Sequence, residues 1–221
     1  MNRGAYAQPV AEPITMSTPD GETLEGEIAR AEPRARAMCV LCHPHPQYGG
    51  SMRSLVISEL FRALPPAGIT TMRFNFRGVE QSTGSWTAGE GERRDVAAAV
   101  DLGATLEPDR PLVLAGWSFG ADMALATTDD RIAGWYAIAA PLRYTTESDL
   151  TRITDDPRPK LLALAEHDEV RPATEVAARA EGWTDTDVVV VPGASHFFVG
   201  RTDRLVTLAL EFADRVIATA A

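Results

Sequence analysis

The chain is expected to fold as an α/β protein, a mostly parallel, twisted sheet with helices on both faces and an antiparallel hairpin at its N-terminal edge. Three observations predict this. Six short, nearly continuous apolar runs recur along the sequence, segments with helical spacing lie between several of them, and a turn signal near the start divides two β-leaning stretches. Apolar runs of this length mark strands buried on both faces, and their alternation with helices gives a parallel sheet.

The elements follow in order. Residues 1–14 read as an N-terminal arm and residues 15–221 as a single domain, because no repeat, low-complexity tract or Ser/Gly linker divides them. Within EPITMSTPDGETLEGEIAR, Pro19-Asp20-Gly21 is the hairpin turn. MCVLC (38–42) is the first buried strand. Leu55, Val56, Leu60, Phe61 and Leu64 then share one face of a helix that Pro65-Pro66 stops. ITTMRFNF (69–76) follows, and Val96, Ala99, Val100 and Ala104 mark the next helix. PLVLA (111–115), WYAIAA (135–140), KLLALA (160–165) and DVVVV (187–191) supply the remaining strands. A last helix carries Leu205, Ala209, Phe212, Ala213 and Val216, with Thr202 as its N-cap. Between Ala140 and Lys160 there is room for one helix and loops, and none for a large lid domain.

Composition narrows the function classes. Lys+Arg of 21 against Asp+Glu of 31 gives a net charge of -10, which disfavours nucleic acid and anionic membranes as partners. A small molecule is the expected partner, and the oligomeric state is left open. Met1–Thr18 holds no apolar run long enough for a secretory signal, and no membrane-length apolar stretch occurs, so a cytoplasmic location is expected. Cys39 and Cys42 sit in an extended run, which places their Cα atoms roughly 10 Å apart on opposite faces. They are expected to be buried thiols.

In parallel sheets ligands bind at the carboxyl ends of the strands, so chemistry is sought there. GWSFG (116–120) follows PLVLA directly. A serine hydroxyl becomes a nucleophile only with a base in reach and a third group to hold that base. His196, in PGASHFF, directly follows DVVVV, and Asp168, in AEHDEV, directly follows KLLALA. The order Ser118, Asp168, His196 is that of nucleophile-elbow hydrolases. Taken singly, Ser118 also reads as a turn serine, His196 as a loop histidine and Asp168 as a cap for a helix beginning near Pro172. Glu166 and Glu169 flank Asp168 as rival carboxylates.

CHPHPQYGGSM (42–52), RFNFRGVEQSTGS (73–85), GEGERRDVAAAV (89–100), GWSFG, AEHD and GASHFF together resemble the α/β-hydrolase superfamily. Within it they are similar to a small lidless branch with HPHP and RFNFRG segments, related to esterases and dienelactone hydrolases. The likeness runs from about residue 15 to near the end of the chain. It implies an α/β-hydrolase fold and a serine hydrolase that cleaves small carboxylic esters through an acyl-enzyme, with no cofactor. Ser118 is then the nucleophile, His196 the base and Asp168 the orienting acid. Thioesterase, peptidase or amidase activity on the same triad, and a catalytically idle binding scaffold, stay open as alternatives.

The resemblance also implies an oxyanion hole formed by the Phe119 N–H and a second backbone donor from the loop after Cys42. In His43-Pro44-His45-Pro46 the prolines lack an N–H and hold each His extended. The His45 N–H is the expected donor, with Gln47 or Tyr48 next. The two histidines also read as a metal-binding pair completed by His167 or Asp168, but the prolines favour a three-residue repeat that turns them apart, so no metal is expected. Glu80 stands where the related RGxGxS segment has a second Gly, and it either restricts the loop or projects a carboxylate to the site mouth. Asn75 and Arg77 are expected to brace loops, and Ser in place of Cys argues against dienelactone hydrolysis. Tyr48, Trp86, Trp117, Tyr144, Phe197 and Phe198 are candidate walls of a substrate pocket, Trp117 alternatively packing beneath the elbow.

Overall fold

The computed structural model describes residues 10–220. β1 (Ala11–Ser17) and β2 (Thr23–Ala29) form the expected hairpin, paired antiparallel from Ala11 opposite Ala29 to Ser17 opposite Thr23. Of the arm expected over residues 1–14, Ala11–Ile14 are already strand because they pair with Gly26–Ala29. Residues 1–9 lie outside the described residues.

The other strands are β3 (Ala37–Cys42), β4 (Ile69–Phe74), β5 (Leu112–Trp117), β6 (Ile132–Ile138), β7 (Lys160–His167) and β8 (Thr186–Ser195). They join the hairpin in one eight-stranded sheet of order β1-β2-β4-β3-β5-β6-β7-β8. β2 pairs antiparallel with β4, and all pairs from β4 onward are parallel. Every residue of β3, β4 and β5 is buried, which explains why their sequences are apolar without alternation.

The helices divide between the faces. Met38, Val40, Cys42 and Leu114 pack with α2 (Glu90–Leu106), α3 (Phe119–Ala126), α4 (Glu147–Asp155) and α5 (Ala173–Arg179). Cys39, Leu41, Val113 and Ala115 pack with α1 (Leu55–Ala63) and α6 (Thr202–Ala220) on the other face. Each such side chain contributes about 1.5–3 kcal/mol by leaving water, so a charge at Val40 or Leu114 would undo the layer it joins. Cys39 and Cys42 are free and buried on opposite faces, as expected, and burial pushes the Cys39 thiol up to about 12 and Cys42 in the same direction.

Several strand boundaries differ from the sequence expectation, among them the end of β4, which stops at Phe74 and not at residue 76. β8 runs past the DVVVV segment to Ser195, because a register shift lets His167 pair with Ser195 after Ala165 has paired with Val191. β6 starts at Ile132 and stops at Ile138, and Ala139 turns out of the sheet at a φ of 46°. The β6–β7 connection holds α4 and no lid domain. Among the described residues no helix is long and apolar enough to cross a membrane.

Candidate active site

Ser118 sits between β5 and α3 with φ 56° and ψ -121°, a conformation most residues avoid. Its N–H donates to the Ile138 carbonyl at 2.8 Å, which fixes the turn to β6. Close backbone approach excludes side chains on both sides of it. A Cβ at Gly116 would lie 2.2 Å from the Gly120 oxygen, and one at Gly120 would lie 2.2 Å from the Cys42 oxygen. The two glycines of GWSFG therefore let β5, α3 and the end of β3 meet around the serine.

His196 follows the last residue of β8. Its Nε2 lies 2.9 Å from Ser118 Oγ, and its Nδ1 lies 2.9 and 3.0 Å from the two Asp168 oxygens. A carboxylate on Nδ1 makes that nitrogen the proton donor and leaves the Nε2 lone pair for the serine hydroxyl. The ring's backbone is held as well. Trp117 Nε1–H donates to the His196 carbonyl at 3.1 Å, and the His196 N–H donates to Glu169 at 3.2 Å. Trp117 is thus both a wall of the site and a strut for the histidine.

Asp168 Oδ1 also accepts the Val170 and Arg171 N–H groups at 2.8 and 3.0 Å. Burial pushes this carboxyl up, but the His196 ring and those N–H groups outweigh it and hold the carboxyl below its ordinary value. Asp168 does not cap the helix that follows, whose N-cap is Pro172 with no side-chain cap bond; it holds the turn before it while its carboxylate meets the His196 ring. Glu169 meets the His196 backbone and Glu166 accepts the Gly193 N–H, so neither rival carboxylate has the ring.

The opposite wall is made by the loop after β3. Phe119 N–H and His45 N–H have no acceptor among the described residues. By contrast, the Gln47 N–H donates to His45 Nδ1 at 3.2 Å and the Tyr48 N–H to the His45 carbonyl at 3.1 Å, within the short turn Pro46–Tyr48. Of the three donors weighed from sequence, only that of His45 is free to serve a ligand.

The two histidines have separate tasks. His43 is fully buried, its Nδ1–H donating to the Pro44 carbonyl at 2.6 Å and its Nε2 accepting the Phe76 N–H at 3.0 Å. Burial pushes it down to about 3, so it stays neutral. His45 accepts from Gln47 on Nδ1, which puts its proton on Nε2, and that proton is donated to Tyr144 Oη at 2.8 Å. Among the described residues no group of three or more His, Cys, Asp or Glu is arranged to hold a metal ion.

Bracing extends behind this wall. Asn75 Oδ1 accepts the Met52 N–H at 2.8 Å, and Arg77 forks onto Asp20 and Asp95. Glu80 has the left-handed φ of 47° that a glycine would adopt without strain. Its carboxylate accepts from Asn75 at 3.0 Å and is not among the groups lining the site, so it stiffens the loop and does not reach the mouth.

Ser118, Phe119, His45 and His196 line one cavity of about 670 Å³. Tyr48, Trp117, Tyr144 and Phe197 also line it. Trp86 does not: its ring stacks behind His45 at 4.5 Å and Phe119 at 5.0 Å, one layer back from the space. Phe198 is likewise no wall, since it is fully buried against the α6 face. Pro44, Gly49, Gly50 and Ser54 add to the lining from the loop after β3, and Leu55, Pro141, Arg143, Val170 and Val199 complete it, none of them a wall expected from the sequence.

Asp122 was also missed. It is fully buried on α3, one turn beyond Ser118, and accepts the Leu142, Arg143 and Tyr144 N–H groups at 2.8, 2.8 and 3.0 Å. Burial pushes it up to about 6 against those three donors. Its signal in the sequence is a lone carboxylate in the otherwise apolar FGADMALA.

Residues 35–220 match the family described as alpha/beta hydrolase domain. An alpha-beta serine hydrolase homologue from Coxiella burnetii is 32% identical, superposes with a TM-score of 0.81, and the match covers 94% of this chain and 99% of that one. A lidless a/b serine hydrolase from Xanthomonas campestris is 30% identical with a TM-score of 0.81, over 93% of this chain and 94% of the other. An uncharacterized protein of Rickettsia prowazekii is 29% identical over 86% of this chain and 83% of its own.

Proposed function

The chain belongs to the alpha/beta hydrolase domain family, and from that premise we propose that it is a serine hydrolase cleaving small carboxylic esters through an acyl-enzyme. The observation that carries this reading is the unbroken hydrogen-bond line from Ser118 Oγ through the His196 ring to Asp168.

In the proposed reaction Ser118 Oγ attacks the ester carbonyl carbon while its proton passes to His196 Nε2. Asp168 holds the ring in the required tautomer and stabilises the imidazolium that forms. The carbonyl oxygen becomes an oxyanion facing the free N–H groups of Phe119 and His45. Collapse breaks the C–O bond to the alcohol, which leaves with the proton from His196. Water then gives a proton to His196 and its hydroxyl to the acyl carbon. The second tetrahedral intermediate releases the acid and returns the proton to Ser118. Every proton stays among these residues, water and the ester.

Substrate size follows from the walls. A cavity of about 670 Å³ beside a β6–β7 connection with one helix suits a short ester better than a lipid. The test is hydrolysis of p-nitrophenyl esters of increasing acyl length by wild type and Ser118→Ala. Activity should be greatest on short chains, and Ser118→Ala should lower kcat by roughly 10⁶-fold. Near-normal turnover by Ser118→Ala would overturn the reading.

A further inference from the structure

Beyond the reaction class, the lining of the cavity bears on which ester enters. Arg143 lies past the end of β6, at the carboxyl edge of the sheet, and faces the same cavity as Ser118 and His196. Among the described residues it is the single Lys or Arg in that lining, and no Asp or Glu lines the space. Acidic residues outnumber basic ones 31 to 21 over the whole chain, so the cavity reverses the sign of the molecule around it.

Among the described residues the Arg143 guanidinium has no carboxylate within salt-bridge reach; its Nη2 donates to the Val170 carbonyl at 2.7 Å. The acids of the adjoining segment are engaged elsewhere. Glu166 holds Gly193, Asp168 and Glu169 hold His196, and Glu175 pairs with Arg171. Asp122 takes the backbone N–H of Arg143 from beneath, which fixes the loop without covering the guanidinium. Beside Arg143, the Tyr144 hydroxyl accepts the proton of His45 Nε2, so its own proton is left to donate. The same cavity is also lined by the apolar side chains of Leu55, Pro141, Val170, Phe197 and Val199, and the Val170 carbonyl is the one that Arg143 holds.

A guanidinium held by one of its nitrogens, with its other donors unpaired beside an apolar wall, is suited to a carboxylate. We propose that the ester this enzyme takes bears a carboxylate away from the scissile bond, recognised by Arg143 with help from the Tyr144 hydroxyl. This rests on the serine-hydrolase reading and adds the substrate's charge to it. Arg143 is exposed, so the preference it confers is modest, roughly tenfold, and weakens with salt.

The test compares the mono-p-nitrophenyl ester of adipic acid with p-nitrophenyl hexanoate, which match in length and differ in charge, each corrected for spontaneous hydrolysis. Wild type should favour the adipate half-ester by roughly tenfold in kcat/KM, mostly through KM. Arg143→Gln should bring that ratio to about one, Arg143→Glu should invert it, and Arg110→Gln, at the opposite end of β5, should leave it at the wild-type value. A wild-type ratio at or below one, or an Arg143→Gln ratio equal to wild type, overturns the proposal. Cleavage of both esters without charge preference sinks only this proposal, whereas cleavage of neither sinks the hydrolase reading beneath it.

Discussion

The two walls of the cavity use polar residues in opposite ways. On the side formed by the ends of β5, β7 and β8, Ser118, His196 and Asp168 are linked through their side chains at 2.9–3.0 Å, so the groups placed for the proposed chemistry are side-chain atoms. On the wall formed after β3, the two histidines of HPHP are tied to backbone and to Tyr144, and the group left free is the main-chain N–H of His45. A histidine motif can thus be a frame, while a lone histidine at a strand end is the proposed base. Residue type reveals chemistry only where the side chain itself reacts.

The largest effects are expected on the side-chain wall. His196→Ala should lower kcat about as far as loss of the nucleophile, and Asp168→Asn by roughly 10⁴-fold, because an amide leaves the imidazole in the wrong tautomer. Steady-state ester hydrolysis at neutral pH checks both. If Asp168→Asn stayed within tenfold of wild type, another group would be holding the ring.

A smaller effect is expected on the main-chain wall, and two substitutions at one position expose it. His45 has a φ of -52°, which proline also adopts, so His45→Pro removes the N–H with little change of backbone path. His45→Ala keeps the N–H and loses only the ring. The proline variant should turn over roughly 10²–10³-fold more slowly than the alanine variant, the usual loss for one oxyanion donor. Equal rates for the two would place the second donor elsewhere.

The smallest effect is on stability, not on rate. His43→Ala deletes the acceptor for the Phe76 N–H and leaves a void, costing about 2–4 kcal/mol at pH 7. The folded protein keeps His43 neutral down to about 3, while the unfolded chain protonates it near the ordinary value of 6.5. The unfolded state therefore binds more protons between those values, and wild type loses stability as pH falls. The gap between wild type and His43→Ala should narrow by about 1–3 kcal/mol from pH 7 to pH 4 in urea unfolding. A gap that does not change with pH would mean that His43 titrates as in the unfolded chain.

Much of this molecule was legible in its sequence, for reasons that differ by element. β3, β5 and β7 showed themselves because strands buried on both faces must be apolar throughout. That Ser118, Asp168 and His196 come together was legible because each lies within a few residues of the end of such a run, where a parallel sheet gathers its ligands. Pairing register is not written in composition, so the extension of β8 through Pro192–Ser195 was hidden, although it is what delivers His196 to the serine. Depth was equally hidden. Trp86 and Tyr144 look alike in sequence, yet one backs the His45 ring and the other faces the cavity. Asp122 works through three N–H groups twenty or more residues away, a relation that only the fold discloses.

The most direct test of the account is reaction of the purified protein with a fluorophosphonate, read by intact mass. A single covalent adduct is expected on wild type, greatly slowed in Asp168→Asn and absent from Ser118→Ala. A wild-type protein that takes no adduct, or a Ser118→Ala variant that labels as fast as wild type, would contradict it.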